Sequence, residues 1–355
     1  MPDREPDPVG GIKEPLWKRS LPILGSLVLV GFIFGWLLPQ YIDYEAVFRS
    51  IQTIEMSEWA VLLAFAGLRI LPESWIYLAA LPGITQRRAV EQFLVTASLN
   101  NVPPGGLDLI VRYQMARSWG ISPTGASTAT VATWFFVTFP RFVLPVIATG
   151  LLTIRHIRDD SMDLLAIIGI VATVLLSVLF IVAVRSESFV LAVGRLISRL
   201  ADFILGLFRK DSDINFESMA VKFRDEGLEL VRRRWGIGFP AGLLAQFAQF
   251  LVLLLAVRFV GLDSVDWIVV FAAFAVVAIV GAIPIFNIPG IAEAVLIGIL
   301  GAAVGGGATD EVAAAVFVFR ILTWLLPIPL GGIAYSRWRT WASSHPSGEA
   351  VGESP

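Results

Sequence analysis

Apolar runs long enough to cross a bilayer recur along this chain, and several carry an arginine or a carboxylate or are cut short by proline and glycine. That combination leaves few possible folds. In hydrocarbon no water pairs with backbone N–H and C=O groups, so a spanning segment folds as a helix that satisfies its own backbone. About 20 apolar residues cross the core of a bilayer. Only 16% of the 355 residues are charged and 56% are hydrophobic, whereas a soluble domain carries roughly a quarter charged residues. The fold class expected is an all-α membrane protein of about 7–8 transmembrane helices, with one or two re-entrant or broken helices and an internal repeat.

Predicted spans cover 20–39, 57–80, 124–152, 162–184, 236–258, 265–283 and 311–335. Two short apolar segments, 89–99 and 107–119, flank the break Asn100-Asn101-Val102-Pro103-Pro104-Gly105-Gly106-Leu107-Asp108. Short helix, Pro/Gly break and short helix read as a re-entrant hairpin. A second break, Pro284-Ile285-Phe286-Asn287-Ile288-Pro289-Gly290, leads into the short run 291–304. Between the halves, Phe189, Val193, Leu196, Ile197, Leu200, Phe203, Ile204 and Leu207 recur at three- and four-residue steps opposite Arg195, Arg199 and Asp202. That pattern suits a helix lying in the headgroup layer.

The domain reading follows. Residues 1–16 form a disordered cytosolic tail, and 17–184 the first membrane half, with its break at 99–108. Residues 185–235 hold cytosolic or interfacial amphipathic helices, 236–340 the second half with its break at 283–293, and 341–355 a disordered tail. The polar, Pro-rich start followed by a full-length apolar run argues against a cleaved signal peptide.

Basic loops stay cytoplasmic. Ten Lys or Arg residues lie between 185 and 235, one in 40–56 and none in 259–266. A cytoplasmic N-terminus places 185–235 in the cytoplasm only if 89–120 dips and returns on one side. For the second break, Arg337 and Arg339 point to a full crossing by 289–305, on two charges alone, and the choice between crossing and re-entry stays open. The expected location is the cell membrane, as a multi-pass protein. Trp17, Trp59, Trp235, Trp267 and Trp338 are read as part of an interfacial belt.

The breaks form a repeat. Each has Pro-Gly, two further residues and an acid, Asp108 or Glu293, followed downstream by a span with one embedded arginine, Arg141 or Arg320. Interrupted helices at matching places in two halves point to a transporter's binding site. A charge at the bilayer centre costs at least about 2.5–3.5 kcal/mol on insertion scales, so Arg69, Glu73, Arg141, Glu293 and Arg320 are candidate site residues. Arg69 and Glu73 stand one helical turn apart and can pair. Structural ion pairing explains any one of these residues about as well as function does. Three embedded arginines facing two deep acids leave a guanidinium able to grip a phosphate with two parallel hydrogen bonds. Asp108 and Arg112 read either as a capping acid with an interfacial arginine or as a headgroup site at a helix start. Asn101 and Asn287 read as turn formers; Pro103, Pro104, Gly105, Gly106, Pro284, Pro289 and Gly290 as hinges.

Other chemistries find no support. There is no cysteine, and His156 and His345 lie in a loop and a tail, so no metal site is expected. HExxH, GxSxG and Walker motifs are missing from the sequence, and Gly305-Gly306-Gly307 lacks the following Lys-Ser/Thr. No cofactor and no enzymatic activity are expected. A net charge of -2 argues against a nucleic-acid partner.

Pro104, Gly105, Asp108, Arg112 and Arg141, with Pro289, Gly290, Glu293 and Arg320, resemble the pattern of the lysylphosphatidylglycerol synthase transmembrane region, also called the flippase-like domain. The resemblance covers roughly 17–340. It implies a domain that moves a polar-headed lipid between leaflets. Ala292 stands where that family usually has a glycine. Little sequence follows the last predicted span, so the soluble aminoacyl-transferase domain of the two-part synthases is not expected.

The function expected is a lipid flippase or transporter in which Arg112, Arg141 and Arg320 hold a lipid phosphate. Asp108, Glu293 and Glu73 orient those arginines or exchange protons. Membrane lipids are the expected partners. The alternatives are an enzyme acting on lipid headgroups and a non-transporting partner of a cell-envelope enzyme.

Overall fold

A computed structural model describes residues 44–100, 107–155, 216–282, 290–305 and 307–344, with only the backbone of 107 and 216–228. The expected spans 20–39 and 162–184, the amphipathic stretch 185–207, the tail 1–16 and most of the tail 341–355 lie outside these residues. So do Asn101, Pro103, Pro104, Gly105, Gly106, Pro284, Asn287 and Pro289.

All regular structure among the described residues is helical. In order the helices are α1 (Tyr44–Gln52), α2 (Met56–Leu68), α3 (Ile70–Ala80), α4 (Gln86–Asn100), α5 (Leu107–Ser118), α6 (Pro123–Ile154), α7 (Phe216–Phe259), α8 (Trp267–Val280), α9 (Ile291–Ala303) and α10 (Thr309–Arg320). A π-turn (Ile321–Leu325) then leads into α11 (Pro327–Ser344). Local chemistry starts them. Ser122 Oγ accepts from Gly125 N ahead of a proline in the first turn of α6, Asp266 Oδ1 accepts from Ile268 N, and Glu58 reaches back to the N–H of Glu55. Each bond satisfies a donor that a helix start leaves open.

Among the described residues four helical stretches are long and apolar enough to cross a membrane: Met56–Ala80, Pro123–Ile154, Glu229–Phe259 and Thr309–Ser344. The shortest has 25 residues and at 1.5 Å per residue reaches about 37 Å, past the roughly 30 Å of hydrocarbon. Their outward faces carry Val61, Leu63, Leu71, Trp134, Val146, Ile147, Ile237, Leu244, Phe247 and Ile333, all exposed. Such apolar surface fits lipid, not water. The chain is therefore membrane-embedded. By contrast α4, α5, α8 and α9 have 15, 12, 14 and 13 residues, about 18–22 Å each.

The buried apolar residues fall into two clusters. One takes Leu62, Ala66, Leu144, Ala148, Phe250, Leu253 and Phe319 together with the buried faces of α8 and α9. The other takes Ile76, Tyr77, Phe93, Met115, Ala129, Phe136, Ala245, Ala334 and Trp338. Each long span therefore passes from one core to the other partway along its length. The α4–α5 pair packs only in the second core, and the α8–α9 pair only in the first. The two ends differ in charge. At the second-core end Arg87, Arg88, Arg117, Arg232, Arg233, Arg234, Arg337 and Arg339 outnumber Glu91 and Glu229. At the other, Glu45, Glu55, Glu58, Asp263, Asp266, Asp310 and Glu311 outnumber Arg49, Arg155 and Arg258.

Helices α6 and α7 lie very close where Gly238 and Gly242 face Phe136 and Pro140. A Cβ on Gly242 would stand 2.2 Å from the Phe136 carbonyl oxygen. Small residues four apart allow such backbone approach inside a bilayer. This packing sets the polar residues of the two helices side by side. One expectation changes: Trp338 is not part of a lipid-facing belt. It is buried, and its Nε1 donates to Ser118 Oγ at 3.0 Å.

Candidate functional site: a charged layer between two cores

The residues at the crossover between cores are polar in every long span: Arg69 and Glu73, then Arg141, then Gln246 and Gln249, then Arg320 and Thr323. Arg69 and Glu73 are 5% and 8% exposed. They pair across one turn at 3.5 Å, long for a charged bond. Glu73 Oε1 takes a shorter bond, 2.8 Å, from Gln249 Nε2 of α7. Arg69 Nη2 donates to the Thr323 carbonyl at 3.2 Å. The sequence explains why that carbonyl is available. Residue 327 is proline and has no N–H to return to Thr323 four residues back, and the chain widens there into the π-turn, with Leu326 N bonded to Ile321 O.

Glu293 and Arg320 form the tightest contact of the layer. Arg320 Nε lies 2.7 Å from Glu293 Oε1, close enough for an ion pair but not aligned as an N–H donor bond. The other carboxylate oxygen accepts from Gly290 N at 2.7 Å. Gly290 sits at φ 100°, where a side chain would be strained, so this glycine lets the chain turn sharply into α9. One carboxylate thereby caps its own helix and holds an arginine from α10.

Arg141, between Pro140 and Pro145 on α6, has no carboxylate within ion-pair distance among the described residues. Its Nη1 donates to the carbonyl of Gly281 at 2.9 Å, at the end of α8 beside the second break.

Asp108 and Arg112 pair within one turn of α5 at 3.3 Å. Arg112 also lies over the ring of Tyr77, 5.5 Å from its centroid. Tyr77 bonds Thr96 at 2.6 Å, and Gln92 Nε2 donates to the Arg112 carbonyl at 3.1 Å. Phe93 touches Tyr77 and stands under the Arg69 guanidinium, joining this group to the first pair.

Thus Arg69, Glu73, Asp108, Arg112, Arg141, Glu293, Arg320 and Gly290 gather in or beside one layer. The other hinge residues lie outside the described residues. Sequence reasoning missed Gln249, Gln246, Tyr77, Gln92, Thr96, Gly281 and Thr323. The available signals were two glutamines three apart within an apolar run and the Gln92–Thr96 spacing of one turn.

The layer's charge is unbalanced. Among the described residues four guanidinium groups meet three carboxylates, and Nε of Arg69, Arg112, Arg141 and Arg320 is buried without a hydrogen-bonded acceptor. Buried donors normally find partners. Among the described residues no cluster of His, Asp and Glu has the makings of a metal site. An apolar cavity of about 280 Å³ lies at the basic end, away from the layer.

The fold and this layer define a multi-spanning helical membrane protein with excess cationic donors in its interior. The sequence model of the lysylphosphatidylglycerol synthase TM region matches residues 23–331, and the chain belongs to that family. Membership supports a lipid-related role. No curated protein matches the chain.

Proposed function

We propose that the protein carries a lipid with an anionic, phosphate-bearing headgroup between leaflets, acting as a flippase or transporter without catalysing a chemical change. The observation that carries this reading is the set of four arginines whose buried Nε–H groups have no hydrogen-bonded acceptor, against three carboxylates, among the described residues. A phosphate supplies several acceptor oxygens and the missing negative charge, and arginine matches it with paired hydrogen bonds. Arg141 is the principal anchor, because its bond to a carbonyl leaves its charge uncompensated by a contacting acid. Arg112 and Arg320 flank it, held in place by Asp108 and Glu293. The acyl tails stay in lipid while the headgroup crosses.

In this reading α4–α5 and α8–α9 are re-entrant hairpins dipping from opposite faces. Their lengths fall short of the bilayer, and each pair packs into one core only. The count is then about 7–8 membrane segments, including those outside the described residues. The positive-inside rule supports assigning the arginine-rich end to the cytoplasmic side of the cell membrane, and the N-terminus and 185–235 are taken as cytoplasmic with it. Lipid is the partner; an envelope enzyme working alongside is a further candidate.

A second reading draws on the bonds from Arg69 to Thr323 O and from Arg141 to Gly281 O. It assigns the arginines to holding broken helices together, as in a non-transporting scaffold for an envelope enzyme. Liposomes containing a fluorescent, reducible anionic lipid separate the two. Transport predicts protein-dependent exchange that Arg112→Ala lowers at least severalfold. Equal exchange in empty and protein-containing vesicles leaves the scaffold reading. Chemical turnover of the lipid overturns both.

A further inference from the structure

We infer that the apolar cavity at the basic end is a separate binding site, one that seats an acyl chain of an anionic phospholipid whose headgroup rests on the neighbouring arginines. The cavity, of about 280 Å³, is lined by Ala80, Leu81, Pro82, Ile121, Gly125, Thr128 and Leu230. It lies where the end of α3, the first turns of α6 and the described start of α7 meet. Nearly all of this lining is hydrocarbon. Its volume is at or below the lower edge of the roughly 300–1,000 Å³ of small-molecule pockets, which suits a tail and not a whole lipid.

The rim says which lipid. Arg117 Nη1 donates at 2.6 Å to the carbonyl of Ile121, a lining residue, so this cation is fixed at the cavity edge. Leu230 is followed on α7 by the exposed Arg232 and the half-buried Arg234. Among the described residues no hydrogen bond or ion pair engages either. Glu229, the acid beside Leu230, is taken by Arg233 at 2.6 Å. Arg88 is held between the rings of Trp119 and Trp341, at 5.6 and 5.2 Å, and stiffens the same corner. Clustered basic side chains at a membrane surface attract anionic headgroups. Here they stand beside a hole of tail-like polarity. The site is distinct from the charged layer: it shares none of its residues, and its chemistry does not depend on transport.

Because the chain has no cysteine, Leu230→Cys in the full-length protein takes one fluorescent label. The labelled protein is reconstituted into vesicles with increasing fractions of phosphatidylglycerol or phosphatidylcholine brominated on the acyl chain. The expected result is half-maximal quenching at about a tenfold lower fraction of the anionic lipid, with the preference lost in Arg232→Gln/Arg234→Gln. That pair is surface-placed and leaves the core intact. Arg141→Gln leaves the quenching unchanged. Equal quenching by both lipids, no quenching, or a preference that survives the double substitution overturns the inference.

Discussion

The two Pro/Gly breaks carry the same residues in the same order and use them differently. After the second break, Glu293 bonds the N–H of Gly290 with one oxygen and meets Arg320 of another helix with the other. After the first, Asp108 spends itself on Arg112, one turn along its own helix. Arg141, which stands in the chain where Arg320 stands in its half, meets no acid among the described residues and binds the carbonyl of Gly281 beside the opposite break. A repeat that is symmetric in sequence is thus asymmetric in contacts. The asymmetry puts uncompensated positive charge where the halves meet. A fully paired interior would be a packing device; the surplus guanidinium among the described residues is what the proposed anion would meet.

The largest effect should come from the tight station. Glu293→Leu removes the buried carboxylate that meets the partly exposed Arg320 and uncaps α9. Loss of the cap and of this partly screened pair together should cost about 2–4 kcal/mol, so the variant should lose a large part of its thermal stability in detergent, and Glu293→Leu/Arg320→Leu should regain some of it. If the single variant melts like wild type, the two stations are not different in kind. Asp108→Asn should cost less, about 1–2 kcal/mol, since asparagine keeps an acceptor oxygen for Arg112, whose guanidinium also keeps the ring of Tyr77. A drop as large as that of Glu293→Leu would remove the asymmetry.

Smaller still is the expected effect of Gln249→Leu. It removes the 2.8 Å bond to Glu73 and should lower stability by about 1 kcal/mol. It should slow leaflet exchange as well if Glu73 helps to balance Arg141 across the layer. An unchanged melting temperature would place Gln249 outside the network.

Much of this arrangement is legible in the sequence. Embedded Arg69, Glu73, Arg141, Glu293 and Arg320 mark themselves by the cost of charge in an apolar run, and all five lie in the layer. The spacing of Arg69 and Glu73 implies their pairing, because helix geometry converts that spacing directly into contact. What the spacing hides is tertiary partnership. Nothing local says that Glu293 meets Arg320 while Asp108 does not meet Arg141, since that depends on which helices pack together. Gln249 is hard to read for the same reason: Gln246 and Gln249 mark a polar spot in a span, but the partner Glu73 follows only when Gly238 and Gly242 bring α7 against α6 and α3 lies alongside. The role of Pro327 in freeing the Thr323 carbonyl is readable in hindsight from the missing N–H, but Arg69 as the recipient is not.

The central claim is that the excess guanidinium at Arg141 receives a lipid phosphate. Leaflet exchange of a fluorescent anionic lipid in proteoliposomes tests it most directly, comparing wild type, Arg141→Lys and Arg141→Gln at matched protein content and thermal stability. The account predicts exchange that falls at least tenfold in Arg141→Gln and is partly retained in Arg141→Lys, which keeps the charge but not the paired donors. Exchange in Arg141→Gln equal to that of wild type would contradict it.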